Sequence, residues 1–129
     1  MRVSEWLSDK RAPIVLERMR ALYAAEVTMT DHWIGFLIGR LRELALETDT
    51  VIVLVADHGH PFGEHGWTGK ITSILHPELV HVPLIIAEIQ PGATPARGIT
   101  VSTPARHIDI VPTVLDAIGS AAAASDVPG

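Results

Sequence analysis

The sequence predicts an α/β fold in which helices flank a mostly parallel sheet. Two short and continuously apolar runs, Val51 to Ala56 and Pro83 to Ala87, are rich in β-branched residues. Such runs are typical of strands that are buried on both faces, as in parallel sheets. A helical pattern precedes the first run and another follows the second, and this order of elements indicates an α/β architecture.

The first helical pattern begins at Pro13, which follows a polar stretch and suits the first turn of a helix. Apolar residues then recur at helical spacing as far as Leu44, which predicts one amphipathic helix or two consecutive ones. The β-branched residues Val27, Thr28 and Thr30 predict a break or bend there. Three large apolar side chains of this helix are expected in the core, namely Trp33, Phe36 and Leu37.

The chain after the second strand is predicted to hold a loop, a strand and a helix. Gln90 to Gly98 contains two prolines and two glycines, which indicates a loop. Ile99 to Val101 predicts a short strand. Asp109 to Gly119 predicts a helix with Asp109 as N-cap and Gly119 as C-terminal stop. We therefore expect one domain over residues 1–119 and a flexible tail over residues 120–129.

The composition is that of a globular domain with one modest core. The 129 residues are 47% hydrophobic, carry a net charge of −5 and include no cysteine. The lack of cysteine excludes disulfides and thiolate metal sites. The lack of a dense cluster of basic residues argues against nucleic acid as a partner. No apolar run is long enough to span a bilayer, and no signal peptide is recognised, so periplasmic, extracellular and cytoplasmic locations all stay open.

The residues with the clearest chemistry follow the first strand. Sheets of α/β proteins carry their active sites at the carboxyl ends of strands, which is where Asp57 and His58 stand. Adjacent side chains of a regular strand point to opposite faces, so both reach one cation only if the backbone turns. Gly59 makes such a turn cheap. A carboxylate and an imidazole would then form half the shell of a divalent cation.

A loop rich in glycine and histidine follows and ends at Gly69-Lys70. A lysine folded back beside a cation supplies positive charge to an anionic substrate, and the alternative is a solvated surface lysine. The histidines of this region offer a competing zinc site, although no HExxH spacing is present. The histidines concerned are His58, His60, His65, His76 and His81.

Several motifs follow one another along most of the chain. They are Tyr23-Ala24-Ala25-Glu26-Val27, Asp57-His58-Gly59, Gly63-Glu64-His65-Gly66, Gly69-Lys70, His81-Val82-Pro83-Leu84-Ile85-Ile86 and Asp109-Ile110-Val111-Pro112-Thr113-Val114-Leu115. This ordered set, with the gap from Asp57 to Lys70, resembles the sulfatase family of the alkaline-phosphatase-like superfamily. The resemblance covers Pro13 to Gly119 and implies part of an alkaline-phosphatase-like sandwich.

The resemblance also implies an activity and the roles of particular residues. Members of the family are sulfuric ester hydrolases whose Asp-His pair binds the active-site cation, which assigns Asp57 and His58 as metal ligands. The cation is expected to be Ca²⁺, with Mn²⁺, Mg²⁺ and Zn²⁺ as alternatives. Lys70 matches the lysine that contacts the sulfate group, whereas His65 and Gly59 match positions that shape the loop. The expected substrate is a small sulfate ester, either aryl or carbohydrate.

The family's nucleophile has no counterpart in this chain. It is a formylglycine made from the Cys or Ser of a C-x-P-S-R or S-x-P-S-R motif, and neither motif occurs here. Two further metal aspartates are also expected elsewhere, so we expect the second part of a catalytic domain, inactive alone and with strand edges open to association. Its oligomeric state stays open. Two alternatives remain, a phosphonate monoester or phosphodiester hydrolase of the same superfamily and a non-catalytic binding domain.

Overall fold

The computed structural model describes residues 12–70, 75–88 and 98–120. The chain divides into two compact units, Met1–Ile89 and Gln90–Gly129. Among the described helices, none has the length and apolar character needed to cross a membrane. The elements are helix α1 (Ala12–Glu43), a 3-10 turn (Glu47–Asp49), strand β1 (Val51–Val55), helix α2 (Pro77–Val80), strand β2 (Leu84–Glu88), a second 3-10 turn (His107–Asp109) and helix α3 (Ile110–Ala117).

Helix α1 is one continuous helix, so it has no break near Thr30. The hydroxyls of Thr28 and Thr30 donate to the carbonyl oxygens of Ala24 and Glu26, each over 2.9 Å. These bonds give the two hydroxyls partners within the helix itself, one turn back. The β-branched residues are therefore accommodated without a break, and the helix runs for 32 residues.

The end of α1 turns the chain directly toward β1. The N–H of Leu46 donates to the carbonyl oxygen of Leu41, and that of Ala45 to Arg42, both over 3.0 Å. This pair of bonds is the Schellman closure of a helix, in which the residue after the cap adopts a left-handed conformation. Ala45 does so, with φ of 55°. The hydroxyl of Thr50 then donates to the Leu46 carbonyl at 2.6 Å, which fixes the approach to β1.

Strands β1 and β2 pair antiparallel, with Val51 opposite Glu88 and Val55 opposite Leu84. The prediction of a mostly parallel sheet is therefore wrong for these two strands. A continuous apolar run predicts where a strand lies but carries no information on its direction. A parallel pair needs a crossover, usually through a helix, and the one helix among the described residues of this connection is the four-residue α2. Among the described residues β1 is partly buried and β2 is exposed, so burial on both faces is not observed.

The apolar side chains of the second half of α1 are exposed. Trp33 retains 59% of its accessible surface, and Phe36 and Leu37 retain more than half. The prediction that they lie in the core is therefore wrong for the part of the chain that the structure describes. A helix of 32 residues is about 48 Å long, whereas each five-residue strand spans about 17 Å. The helix outruns the elements that could cover it.

The Gly63-Glu64-His65-Gly66 motif forms the tip of a tight hairpin. An antiparallel bridge joins Phe62 to Thr68, and the Gly63 N–H donates to the Trp67 carbonyl at 2.8 Å. The Gly66 N–H closes the turn onto the Gly63 carbonyl at 3.1 Å. Gly63 and Gly66 have φ of 98° and 76°, a region that other residues adopt only at a cost. The two glycines therefore explain why the motif forms this turn.

Helix α1 holds this hairpin through Arg20 and Tyr23. The Arg20 guanidinium donates to the Phe62 carbonyl at 3.1 Å and to the Glu64 carboxylate at 3.2 Å. The rings of Tyr23 and Phe62 meet edge to face, with centroids 5.3 Å apart. Residues three apart lie on one face of a helix, so one short stretch of α1 makes all three contacts. The hairpin is thereby fixed to a regular element.

Gly59 lies directly against the backbone of α2. Its N–H donates to the Leu79 carbonyl over 2.7 Å. A Cβ at this position would overlap the Glu78 carbonyl oxygen and would lie 3.0 Å from the Glu78 carbonyl carbon. Gly59 is not among the glycines with positive φ. Gly59 was expected to ease a turn of the backbone. This expectation is corrected, because the position requires space for α2 and not a left-handed conformation.

The second unit is described over residues 98–120 and contains α3. The helix is confirmed, and Gly119 ends it with φ of 75° and an N–H that donates to Asp116. Asp109 stands at the predicted N-cap position of α3, but its carboxylate makes no capping bond to that helix and instead accepts the Arg106 N–H at 2.7 Å. Residues Ile99 to Val101 do not form the expected strand. The expected loop over residues 90–97 and tail over residues 121–129 lie outside the described residues.

The contact between Gly59 and α2 predicts opposite effects of alanine at two glycines. Gly59→Ala places a methyl group on the Glu78 carbonyl and should lower the free energy of unfolding by about 1–3 kcal/mol. Gly35→Ala is the matched control, since it lies in α1 with nothing within 4 Å of a Cβ. It should raise the same free energy by about 0.5–1 kcal/mol. Urea unfolding followed by circular dichroism measures both, and equal effects would contradict the contact.

Candidate functional site

The structure brings the side chains of Asp57 and His58 to the same side of the chain just beyond β1. The Oδ1 atom of Asp57 accepts the backbone N–H of His58 over 2.9 Å. Its Oδ2 atom lies 3.6 Å from Nε2 of His58. The Asp57 side chain retains 87% of its accessible surface, whereas that of His58 retains 32%. The carboxylate therefore faces solvent, with the imidazole beside it.

The hydrogen bond of the His58 ring determines which nitrogen carries the proton. Nδ1 lies 2.7 Å from the carbonyl oxygen of Gly59. A carbonyl oxygen only accepts, so Nδ1 is the donor and Nε2 of the neutral ring keeps its lone pair. This arrangement, in which one ring nitrogen donates to a backbone carbonyl, is common among histidines that bind metals through the other nitrogen.

The Asp57 and His58 pair has the spacing of two neighbouring ligands of a cation. At 3.6 Å, Nε2 and Oδ2 are too far apart for a hydrogen bond. Ligands at about 2.0–2.6 Å from an octahedral cation are about 2.9–3.7 Å from one another. The two residues therefore fit a divalent cation as neighbouring corners of its shell, with the other corners left to further oxygen ligands.

The hairpin returns the chain to this region before it reaches Lys70. The Gly69 N–H donates to the Pro61 carbonyl at 3.3 Å, and Gly69 has φ of 83°. Pro61 closely follows His58, so the backbone before Lys70 passes beside the backbone after His58. The Lys70 side chain is exposed and has no ion pair within residues 12–70, 75–88 and 98–120. Its ammonium group is therefore accessible to an anion.

The hairpin tip carries a carboxylate that is held in its ionised form. Burial alone would raise the pKa of Glu64, but the backbone N–H groups of Glu64 and Phe62 and the Arg20 guanidinium outweigh it and lower that pKa. The Phe62 N–H reaches the carboxylate at 2.5 Å. Glu64 therefore stays charged and bound to Arg20 at neutral pH, which keeps the hairpin against α1.

A second group of side chains joins the hairpin tip to α2. Nε2 of His65 lies 3.0 Å from Oε2 of Glu78, and the His65 ring stacks on that of His76 with centroids 3.6 Å apart. The backbone N–H of Glu78 and then the His65 imidazole hold the pKa of the Glu78 carboxyl below its ordinary value. His65 thus contacts α2, and its loop-shaping role stays a prediction.

The structure divides the histidines that the sequence offered as a single zinc site. His58 turns to Gly59, and His60 lies against the Phe62 ring with centroids 4.7 Å apart. Only His65 and His76 come together, and the third member of their group is Glu78. The sequence analysis missed Glu78, which is separated from His65 by 13 positions. Neither a periodicity nor a tight ligand spacing marks a pair so far apart.

Comparison with known proteins gives one consistent family. The family model for Sulfatase matches residues 3–120. The ulvan-active sulfatase of Formosa agariphila is 32% identical over 93 residues, which are 72% of this chain and 18% of that protein. The choline-sulfatase of Rhizobium meliloti is 33% identical over 104 residues, which are 81% of this chain and 19% of that protein. No solved structure matches the chain.

A third relative comes from the wider superfamily. The multifunctional alkaline phosphatase superfamily protein PehA of Trinickia caryophylli is 31% identical over 104 residues, which are 81% of this chain and 20% of that protein. The chain thus spans about a fifth of the length of the curated relatives it matches. The family match extends over the motifs and the candidate site described above. The chain therefore belongs to the sulfatase family, whose domain has an alkaline-phosphatase-like α/β fold.

Proposed function

We propose that this chain is part of a metal-dependent sulfatase that hydrolyses aryl or carbohydrate sulfate esters. The observation that carries the proposal is the pair of atoms Asp57 Oδ2 and His58 Nε2, which lie 3.6 Å apart at the end of β1. A carboxylate oxygen and an imidazole nitrogen at this separation are within reach of one divalent cation. Membership of the sulfatase family supports the reaction class, and two of its relatives are named as sulfatases.

Asp57 and His58 are the residues that would hold the cation. We propose Ca²⁺, as the family implies, with Mn²⁺, Mg²⁺ and Zn²⁺ as alternatives, of which Zn²⁺ accepts an imidazole ligand most readily. Bound there, the cation supplies Lewis acidity to a sulfate oxygen. The Gly59 carbonyl keeps the His58 ring in one tautomer and orientation, and the Asp57 carboxylate supplies negative charge.

Lys70 is the proposed contact for the sulfate group. Its ammonium is exposed, and it follows Gly69, whose N–H bonds to Pro61 near the cation ligands. A positive charge beside the transferring group offsets the negative charge that builds on its oxygens in the transition state. The contacts of Arg20 with Phe62 and Glu64 support this role, because they attach to α1 the hairpin that ends at Lys70.

The remaining parts of the active site are proposed to lie outside the 129 residues. The sequence contains no cysteine, and no serine stands in an S-x-P-S-R context that could yield formylglycine. The two further metal aspartates that the family implies are also proposed to lie outside these residues. His65 and Gly59 act in this proposal by shaping the loop, through the Glu78 contact and the close approach to α2.

One observation favours a second candidate, a phosphonate monoester or phosphodiester hydrolase. The relative in Trinickia caryophylli is named as a multifunctional protein of the alkaline phosphatase superfamily. Sulfate, phosphonate and phosphodiester groups are all tetrahedral anions. An accessible lysine and one cation held by Asp57 and His58 would therefore suit each of them. The nucleophile discriminates between the two candidates. A non-catalytic binding domain is the third alternative.

The cation half-site predicts a weak and local response to Ca²⁺. In ¹H–¹⁵N NMR spectra, Ca²⁺ should shift the amide signals of residues 57–59, with a dissociation constant on the order of 10⁻³ M because two ligands alone bind weakly. Asp57→Asn and His58→Ala should each weaken this binding by at least about tenfold. Asp31→Asn, an exposed aspartate in α1, is the matched control. Equal binding by all three variants would contradict the assignment.

The placement of the nucleophile predicts that the 129-residue chain does not turn over substrate. Purified chain with an aryl sulfate and Ca²⁺ should release product no faster than buffer alone, because the attacking group is absent. Coding DNA upstream of Met1 should encode an in-frame C-x-P-S-R or S-x-P-S-R motif. Turnover well above the buffer control would overturn the placement, and a different upstream nucleophile motif would favour the second candidate.

A further inference from the structure

We propose that His65, His76 and Glu78 form a second metal site, which binds a borderline-soft divalent cation of the Zn²⁺ class. The three residues offer Nδ1, Nε2 or carboxylate oxygen atoms that all lie within 4.8 Å of one another. They share no ligand with the Asp57 and His58 pair. The proposal goes beyond the function proposed above and does not depend on it.

The distances place two ligands near the geometry of a bound zinc ion. Zinc binds imidazole nitrogen and carboxylate oxygen at about 2.0–2.2 Å, and tetrahedral ligands at that radius lie about 3.3–3.6 Å apart. Nε2 of His65 and Oε2 of Glu78 lie 3.0 Å apart, close to that separation. A zinc ion there takes the place of the proton that the two atoms now share. The third ligand must move by about 1–1.5 Å at most to complete the set.

The third ligand is a histidine whose ring does not cap the helix that follows it. His76 precedes α2 at the N-cap position, and its side chain makes no capping hydrogen bond. Its ring lies 3.6 Å from that of His65 with an angle of 11° between the planes. A metal lies in the plane of each ligating ring, so one of the two stacked rings must rotate for both to bind. Rotation about the Cβ–Cγ bond is soft and requires no backbone change.

The backbone holds the three side chains together before any metal arrives. His76 and Glu78 lie at the start of one short helix, and the buried Leu79 beside them accepts the Gly59 N–H over 2.7 Å. His65 stands at the hairpin tip, which Arg20 fixes to α1 through the neighbouring Glu64. The side chains of His65 and Glu78 are each about one-third exposed. A cation therefore reaches them from solvent at little ordering cost.

Two histidines and a glutamate make up the ligand set of zinc sites that keep a fourth position for water. A bound cation would join the hairpin tip, which carries His65, to the start of α2, where His76 and Glu78 lie.

Untagged chain provides the direct test, by calorimetric titration with Zn²⁺ and by visible absorption with Co²⁺ as a spectroscopic substitute. We expect one Zn²⁺ per chain and a Co²⁺ band of the intensity that four-coordinate sites give. His76→Ala and Glu78→Gln should each weaken binding by at least about tenfold, which is the lower end of the loss known for outer-shell partners. His81→Ala, an exposed histidine outside the group, should bind like the wild type.

The same titration in the Asp57→Asn/His58→Ala double variant separates this site from the proposed catalytic cation. Zinc binding should persist there while the Ca²⁺ response disappears. Absence of binding at one equivalent in the wild-type chain, or undiminished binding in both His76→Ala and Glu78→Gln, would overturn the proposal. If the double variant does not fold, NMR of the wild-type chain decides, since Zn²⁺ must then shift the imidazole signals of His65 and His76 before those of His58.

Discussion

Gly59 touches three parts of the candidate site at once. Its N–H donates to the Leu79 carbonyl, its missing Cβ lets the Glu78 carbonyl approach, and its own carbonyl accepts Nδ1–H of His58. One residue therefore fixes α2 against the loop and also fixes the tautomer of the neighbouring histidine. A side chain here would push α2 away. It would disturb both the arrangement of Asp57 and His58 and the contact of Glu78 with His65. The remainder of the site depends on this close approach.

A second, independent attachment holds the hairpin. Arg20 in α1 binds both the carbonyl of Phe62 and the carboxylate of Glu64, whose pKa is lowered by these partners against the effect of burial. The hairpin then returns through Gly69 to Pro61, and Lys70 follows. The backbone that leads to Lys70 is thus held by hydrogen bonds within the hairpin, and Arg20 attaches the hairpin to α1. Its own side chain stays accessible to an anionic group.

The sequence predicts position along the chain better than arrangement in space. Both strands, α3 and the stop at Gly119 lie where apolar runs and glycine indicated. The predicted strand direction was wrong because an apolar run carries no information on the direction of a strand. The connection between the two strands decides how they pair. The predicted burial of Trp33 was wrong because periodicity predicts which residues share a helix face and does not predict whether another element covers that face. The partners of His65 could not be predicted, since local spacing does not mark a contact across 13 positions.

The proposed cation site depends on the His58 ring, whose Nδ1–H donates to the Gly59 carbonyl while Nε2 lies 3.6 Å from Oδ2 of Asp57. Long-range ¹H–¹⁵N NMR of the imidazole, recorded in mildly alkaline buffer with and without Ca²⁺, reports this directly. The account predicts the Nδ1–H tautomer without the cation and a shift of the Nε2 resonance when Ca²⁺ is added. An Nε2–H tautomer, or a rapidly exchanging mixture that Ca²⁺ leaves unchanged, would contradict it.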